Sequence, residues 1–484
     1  MKATKKILCV VLSVLMVLAC APFAMAAENE PFRISCTVNG SMQTQRGLTW
    51  FTNVDTDSVV VYSDGTNELT AEGTSMEWEG NFVHKTLLTD LTPGTTYTYK
   101  VGNGTVWSEE GTFTTDDGDD QVAFIVVADI QASSVENFEV GANVLNKALG
   151  MYPETDLVVN LGDFTNDSTN EEWDFYDYAL ADINRSVTLA PVSGNHDGLG
   201  VWNWFNNMFN LDTSESVQNL NGVNYSFDYG NVHCAVLNTN DLLSMSEAQL
   251  KWLKNDMNST ACDWKMVFMH KSPYTLGKDG KWPDALYLKD ALVPVLDECN
   301  VDIVMSGHDH MYLRTKSLFG DAVAENGDGT VYVLAGTAGS KRYEIRDFLK
   351  DHFMPVSYID TCVVQKDGYG NYFNGTDFDS VDENNIGGIF NSISVSGGTL
   401  VLNSYVVSDA TDEVKCIDTM TVTKEVGQNV PSFDGDNGTS EFEYAMNTPI
   451  SLAKLAFYAL TEWLFKFLLM VPDLIRVYSE TGTF

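Results

Sequence analysis

Positive charge is scarce in this chain. Lys and Arg number 28 against 67 Asp and Glu among 484 residues, a net charge of −39. A surface that wraps nucleic acid needs clustered Lys and Arg against phosphate, so that class is excluded, and so is electrostatic docking to anionic lipid. Cysteine is sparse too. Cys9 and Cys20 fall in a leader segment, and Cys36, Cys234, Cys262, Cys299, Cys362 and Cys416 remain. Six cysteines in an exported chain permit disulfides but are too few for a disulfide scaffold of this length. No Cys-x-x-Cys occurs, which removes zinc ribbons and thioredoxin-type sites. There is no internal repeat. Aromatics are not lacking: 10 Trp, 20 Tyr and 25 Phe in a 44% apolar composition exclude wholesale disorder and provide for about two to four domains.

The first residues carry an address. Lys2, Lys5 and Lys6 precede an apolar run at 7–18, and Ala24-Met25-Ala26 is a small-x-small cleavage site. This is the pattern of a secretory signal peptide over 1–26, and the run is too short to span a bilayer comfortably. Its removal leaves 25 basic and 67 acidic side chains, about −42. The expected location is secreted or extracellular, with association at the cell surface through the far end of the chain. There, residues 449–479 are apolar, but Lys454, Tyr458, Glu462 and Lys466 recur every four residues as one polar stripe. Central charges cost about 2.5–3.5 kcal/mol each in a spanning helix, so the expectation is an interfacial or protein-docked amphipathic helix. A linker at 425–448, rich in Gly, Asn, Asp and Ser, precedes it.

Between these ends the texture changes twice. Residues 32–116 hold short β-branched or alternating segments at 47–53, 58–62, 95–101 and 111–115, with a Thr92-Pro93-Gly94 turn and no long helical pattern. That is a small β-sandwich, expected to act as a rigid spacer shaping one wall of a cleft. The run Asp116-Asp117-Gly118-Asp119-Asp120 reads as an acidic linker. From 121 onward, continuous apolar runs at 122–128, 157–161, 187–192, 232–237, 265–269 and 301–305 read as buried strands. Helical patterns at 135–151, 171–183, 246–257 and 283–299 alternate with them, so the expectation is an α/β layer structure. Strand patterns return from about 329 to 424.

Polar residues follow these buried runs in a telling way. Asp129, Asp163, Asn195, His270 and His308 each stand where an apolar run ends, and His310 is two residues beyond His308. In open α/β sheets ligands gather outside the carboxyl ends of strands, so the six are expected to converge. Imidazole and carboxylate together suit zinc, iron or manganese. A carboxylate bridging two ions about 3.5–4 Å apart suits phosphate-ester chemistry, in which a metal-bound hydroxide attacks phosphorus. Tyr274, four residues after His270, is a candidate for the substrate pocket.

Gly162-Asp163, Gly194-Asn195-His196-Asp197, Val267-Phe268-Met269-His270 and Gly307-His308-Asp309-His310, in that order, resemble the calcineurin-like metallophosphoesterase signature. The stretch from Asp90 to Val101 resembles the fibronectin-like N-terminal domain of purple acid phosphatases, and the stretch from Ile417 to Lys424 resembles that family's C-terminal segment. The resemblance implies a fibronectin-III-like β-sandwich followed by a four-layer αββα domain over 121–424. It implies two metal ions, of zinc, manganese or iron, with Asp163 as the bridging carboxylate. Asp129 and His310 match ligands of the first metal, and Asn195, His270 and His308 match ligands of the second. His196 matches a histidine near the leaving oxygen, oriented by Asp197, and both are candidate catalytic residues. Two positions depart from the pattern. Gln131 stands where the first motif has His or Gly, as a weaker candidate ligand. Asn166 stands where purple enzymes carry a tyrosine ligand, so no iron–tyrosinate colour is expected. The implied activity is hydrolysis of small phosphate monoesters, with no nucleic-acid surface. The rivals are a phosphodiesterase or nucleotidase on the same site and a surface binding protein on a degenerate scaffold.

Overall fold

A computed structural model describes residues 29–198, 204–216, 223–240, 247–277, 283–324, 328–345, 354–366, 369–373, 378–381 and 386–427, together with Asn429 and Pro431. The leader at 1–26, most of the linker and the apolar segment 449–479 lie outside the described residues. Among the described residues no helix is long and apolar enough to cross a membrane.

Eight strands build the N-terminal sandwich: β1 (Phe32–Thr37), β2 (Arg46–Thr52), β3 (Val59–Ser63), β4 (Glu68–Glu72), β5 (Thr74–Trp78), β6 (Asn81–Leu88), β7 (Thr96–Gly102) and β8 (Gly111–Thr114). One sheet has the order β4-β3-β7-β8. It packs on the arm β1-β2-β6-β5 through Ile34, Trp50, Val60, Tyr97, Tyr99 and Phe113. Alternation along β3, with Val60 and Tyr62 buried and their neighbours half-exposed, is what a strand with one wet face requires.

The second domain follows without a free spacer. Asp116 of the acidic run is buried; its carboxylate accepts from Gly118 N and Gly230 N. Next come β9 (Gln121–Val127), helix α1 (Val135–Met151), β10 (Leu157–Asn160), α2 (Asn170–Ser186), β11 (Thr188–Pro191) and the short α3 (Trp204–Met208). Then follow β12 (Tyr225–Tyr229), β13 (Val232–Leu237), α4 (Glu247–Ser259), β14 (Trp264–Met269), α5 (Pro283–Ala291), α6 (Val293–Glu298) and β15 (Ile303–Ser306). The remainder is β16 (Tyr312–Thr315), β17 (Leu318–Phe319), β18 (Ala322–Val323), β19 (Val331–Ala335), β20 (Ile359–Lys366), β21 (Tyr369–Phe373), β22 (Phe378–Val381), β23 (Gly387–Ser396), β24 (Thr399–Ser408) and β25 (Val414–Thr423). Helix α2 shows why its ends lie where they do. Thr169 caps it by accepting from Glu172 N, Glu171 and Glu172 occupy the first turn, and Arg185 the last.

Two large sheets face each other. One has the order β25-β24-β23-β9-β10-β11-β1-β2-β6-β5, the other β12-β13-β14-β15-β19-β16-β20-β21-β22. Met266 and Phe268 of β14 point into the core between them, while Val267 and Met269 join a second core with Leu253 of α4 and Leu296 of α6. This period of two lets one strand serve two apolar layers, giving the expected αββα stack. Because β1 pairs in parallel with β11, Cys36 opposite Thr188, the sandwich arm and the first sheet are one continuous sheet.

That junction gives the sandwich contacts beyond those of a spacer. Sandwich side chains hold the segment just beyond the Gly194–Asp197 motif by its carbonyls. Ser35 Oγ donates to Met208 O at 3.0 Å, Thr37 Oγ1 to Asn210 O at 2.7 Å, and Lys85 Nζ to Asn206 O and Phe209 O at 2.5 and 2.6 Å. The buried Arg33 guanidinium lies over the Trp204 ring at 5.6 Å and pairs with Asp174 at 2.6 Å. The six cysteines among the described residues form no disulfide with one another, and five of them are buried.

Candidate metal centre

Strands β9, β10 and β11 are parallel neighbours, as are β14 and β15, so their carboxyl ends open toward one place. The turns after them are tight. Asp129, Gln131, Asp163 and His308 have φ of 53°, 38°, 54° and 71°, a left-handed backbone that side-chain-bearing residues adopt at a cost and that clusters at functional sites. Gly162 explains the close approach. Its φ is 98°, and a Cβ there would lie 2.7 Å from Gly194 N and 2.8 Å from His270 Nδ1.

The donors converge in two groups that share one residue. Asp163, His270 and His308 offer ligand atoms all within 4.8 Å of one another, and so do Asp129, Asp163 and His310. His270 Nε2 lies 3.3 Å from Asp163 Oδ2, 3.1 Å from Asn195 Oδ1 and 3.2 Å from His308 Nδ1. His310 Nε2 lies 3.5 Å from Asp129 Oδ1. All six sequence-derived candidates are therefore brought together. Asp129, Asp163, His270 and His310 are buried and Asn195 is exposed at the rim.

The imidazoles are oriented by main-chain carbonyls. His270 Nδ1 donates to Leu161 O at 2.8 Å, and His310 Nδ1 donates to Lys341 O at 2.9 Å. Each bond fixes the tautomer that presents Nε2 to the centre, the arrangement metal-ligating histidines use. His308 N donates to both Asp129 oxygens at 3.0 and 2.9 Å.

Electrostatics follow from burial and mutual charge. Burial alone would raise the pKa of Asp163, but His270, His196 and His308 overcome it and hold the carboxyl well below its ordinary range. Burial would lower His270, yet Asp163 and Asp129 hold it up at about 9. His308 falls well below the ordinary value through burial and the nearby His270 and Lys271, so it stays a neutral donor.

Two expected roles are corrected. Asp197 does not orient His196. Its carboxylate is fully buried and accepts from Asp163 N at 2.9 Å, Phe164 N at 2.7 Å and Gly194 N at 2.6 Å, tying two donor loops together. Burial, with Asp163 beside it, pushes its pKa up to about 7. His196 is held instead by Asn166, whose carbonyl accepts from Nδ1, and by its own backbone N–H, which donates to Asp163 Oδ1 at 2.8 Å. Tyr274, the candidate for the substrate pocket, is packed in a core among the described residues. Its ring is buried beside Tyr332 at 4.6 Å and its hydroxyl donates to Asp321 at 3.1 Å. A small neighbouring cleft is lined by Lys271, Ser272, Thr275, Ala285, Gly307, His308 and Asp309.

Gln131 enters differently. Its backbone N–H donates to Asp163 O at 2.9 Å, while its buried Oε1 has no hydrogen-bond partner. The segment after β19, whose sequence reads as a plain turn or a phosphate-facing loop, also reaches the site. Ala338 N donates to Ala128 O and Thr337 Oγ1 to Asp129 O, each at 2.8 Å. The Tyr343 ring stacks on His310 at 4.0 Å, and Lys341 Nζ donates to Asn166 Oδ1. The run Gly336-Thr337-Ala338-Gly339-Ser340 following a strand is the only sequence signal near it.

Comparison with known proteins gives a consistent picture. A family model described as Calcineurin-like phosphoesterase matches residues 122–312, and one described as Purple acid Phosphatase, N-terminal domain, matches residues 31–115. Purple acid phosphatase 23 of Arabidopsis thaliana is 23% identical over 317 residues, covering 57% of this chain and 66% of that one. Purple acid phosphatase 15 of the same plant is 23% identical over 39% of this chain and 35% of its own length, so this chain spans between about a third and two thirds of these relatives. Acid phosphatase type 7 of Danio rerio is 23% identical over 66% of this chain and 82% of that one. Among solved structures, purple acid phosphatase PPD1 from yellow lupin seeds aligns with a TM-score of 0.63 at 16% identity, over 82% of this chain and 75% of that one. PhoD aligns with a TM-score of 0.56 at 12% identity, over 91% and 100%. At those identities the structural likeness speaks to fold.

Proposed function

Since the chain carries a calcineurin-like phosphoesterase domain behind a purple acid phosphatase N-terminal domain, we propose that it is an exported, metal-dependent hydrolase of small phosphate monoesters. The observation that carries this reading is Asp163, common to two donor groups at the mouth of two facing sheets. The donor set fits zinc, manganese or iron, since carboxylate, amide and imidazole atoms surround it and neither group includes a thiolate. Gln131 Oε1, buried and unpartnered, fits an amide oxygen turned to a cation.

Asp129, Asp163 and His310 would hold one ion, with Gln131 beside them; Asp163, Asn195, His270 and His308 would hold the other. The chemistry that ions held there would supply is a clamp on the phosphate oxygens and a water whose pKa is lowered to about 7. The protein does the rest by position and charge. Asp197 keeps the Asp163 and Gly194 loops at fixed separation. With Nδ1–H held by Asn166 O, His196 leaves Nε2 free of that bond, and in its doubly protonated form the ring would give the Nε2 proton to the leaving oxygen and return to the neutral Nδ1–H tautomer. Export rests on the leader at 1–26, and surface association on 449–479.

The test uses the full chain, stripped and reloaded with zinc, manganese or iron, on p-nitrophenyl phosphate and bis-p-nitrophenyl phosphate, with Asp163→Asn as control. Monoester turnover that needs both metal and Asp163 is the expected result. Preference for the diester would replace the reading by a phosphodiesterase. No turnover with any metal would leave a binding protein on the same scaffold.

A further inference from the structure

We propose that Lys85 of the sandwich is a positioning residue for the reaction, setting through helix α3 where His196 stands relative to the leaving oxygen. The proposal rests on the phosphoesterase reading above and deepens it by giving the N-terminal domain a part in proton transfer.

Lys85 lies on β6, in the sandwich arm of the long sheet, and its ammonium reaches out of that domain to α3. Nζ donates to Asn206 O at 2.5 Å and to Phe209 O at 2.6 Å. These carbonyls belong to the last turn of α3 and to the residue after it, where a helix leaves acceptors without partners. Other sandwich side chains take the carbonyls beside them. Ser35 Oγ donates to Met208 O, and both Thr37 Oγ1 and Asn39 Nδ2 donate to Asn210 O. Burial pushes the Lys85 ammonium from 10.5 down to about 8, and no carboxylate among the described residues offsets that cost. A methionine would be cheaper to bury there. What the ammonium adds is direction: two charge-assisted bonds to carbonyls three residues apart fix both the rotation of α3 and its depth against the sheet.

The other end of α3 meets the site. Trp204 opens the helix, and its N–H donates to Gly198 O at 2.8 Å. Its ring is gripped by the Arg33 guanidinium at 5.6 Å, Trp78 at 6.2 Å and Trp173 at 6.4 Å. Gly198 has φ of 64°, and a Cβ there would lie 2.6 Å from Trp204 Cδ1 and 2.8 Å from Ser168 Cβ, so the chain passes between the two with no slack. Ser168 Oγ in turn donates to His196 O at 2.8 Å. Gly198 is only two residues beyond His196. A displaced α3 therefore drags the backbone that carries His196, while Nδ1 of the ring stays tied to Asn166 O on another loop. The ring must tilt, and Nε2 leaves the line to the departing oxygen. A misplacement of about 1 Å is enough to cost a large factor in rate.

The experiment compares phenyl phosphate, whose leaving group needs a proton, with p-nitrophenyl phosphate, whose leaving group does not, on the metal-loaded full chain. Lys85→Met should lower kcat on phenyl phosphate about tenfold more than on p-nitrophenyl phosphate, with KM and metal content unchanged. Lys100→Met, an exposed lysine of the same sandwich, should leave the ratio of the two esters as it is. In a His196→Gln background Lys85→Met should add no further discrimination, because the two act as a unit. Equal loss on both esters, or discrimination that persists without His196, overturns the proposal. Ser35→Ala removes a single weaker bond to the same segment and keeps the test open if Lys85→Met does not fold; it should shift the ester ratio the same way by about threefold, and an unshifted ratio overturns the proposal. A second arm needs no turnover. Amide hydrogen exchange should quicken about tenfold in Lys85→Met at His196 and Trp204 and stay unchanged along β14. Unchanged exchange at His196 overturns the proposal. If neither ester turns over in the parent protein while exchange behaves as expected, the phosphoesterase reading fails and the coupling of Lys85 to the His196 loop stands.

Discussion

The two facing sheets bring different chemistry to one place. The ten-stranded sheet ends β9, β10 and β11 in oxygen donors, Asp129, Asp163 and Asn195; the nine-stranded sheet ends β14 and β15 in nitrogen donors, His270, His308 and His310. They are held in different ways. On the oxygen side the backbone is constrained, with three residues at left-handed φ, Asp197 clamping three N–H groups, and the sandwich extending the same sheet. On the nitrogen side two of the three rings, His270 and His310, are each constrained by a carbonyl, and Leu161 of the oxygen side supplies one of them. The lesson is that buried like-charged carboxylates need a rigid frame to stay together, whereas a ring is placed by a single bond to one of its nitrogens.

This contrast can be broken most severely at Asp163, the one residue both donor groups use. Asp163→Asn should lose both metals, measured by elemental analysis, and slow turnover by about 10³-fold or more. The rise in Tm that added metal gives the parent protein should vanish with it. His196→Gln should separate chemistry from binding. Both metals stay, and kcat falls by about 10²–10⁴-fold, most for poor leaving groups. Metal loss in that variant would move His196 into the ligand set.

Asp197→Ala tests the frame without removing a ligand. It strips the acceptor from three buried N–H groups, so urea unfolding should show a loss of about 3 kcal/mol or more, with weaker metal binding as a consequence. Normal stability would mean the oxygen side needs no clamp.

The smallest effect separates a structural histidine from the ligand histidines of the same sheet. His233 on β13 is buried between Asp228 at 2.6 Å and Asp256 at 2.9 Å. Burial lowers its pKa, but the two carboxylates raise it to about 9 from 6.5. A pKa raised on folding adds stability that is complete below pH 6.5 and disappears as pH climbs through about 9. The Tm gap between the parent protein and His233→Gln should therefore be widest below pH 6.5 and closed above pH 9. A gap independent of pH would show that packing, and not charge, accounts for it.

Much of this was legible in the sequence for a physical reason. Strands buried on both faces must be apolar throughout, so the run 122–128 marked β9, and a polar residue after such a run marked each donor. The sandwich strands β4 and β5 were invisible because their side chains are almost all exposed and carry no apolar pattern. Asp197 was misassigned because its partners are backbone N–H groups, whose positions depend on turns that no residue pattern announces. Tyr274 was placed in a pocket by proximity along the chain, whereas its hydroxyl was satisfied by Asp321 on a distant hairpin. Lys341 lies some thirty residues beyond the last motif, and only the fold returns it to His310.

The parallel pairing of β1 with β11 has a consequence in time. Cys36 must await Thr188, roughly 150 residues later in the chain. At ~5–20 residues per second that interval is roughly 8–30 s of synthesis. Throughout it the N-terminal strand stands as an unpaired edge, open to mispairing with another nascent chain. Export in an unfolded state, with both strands released together, would remove that exposure.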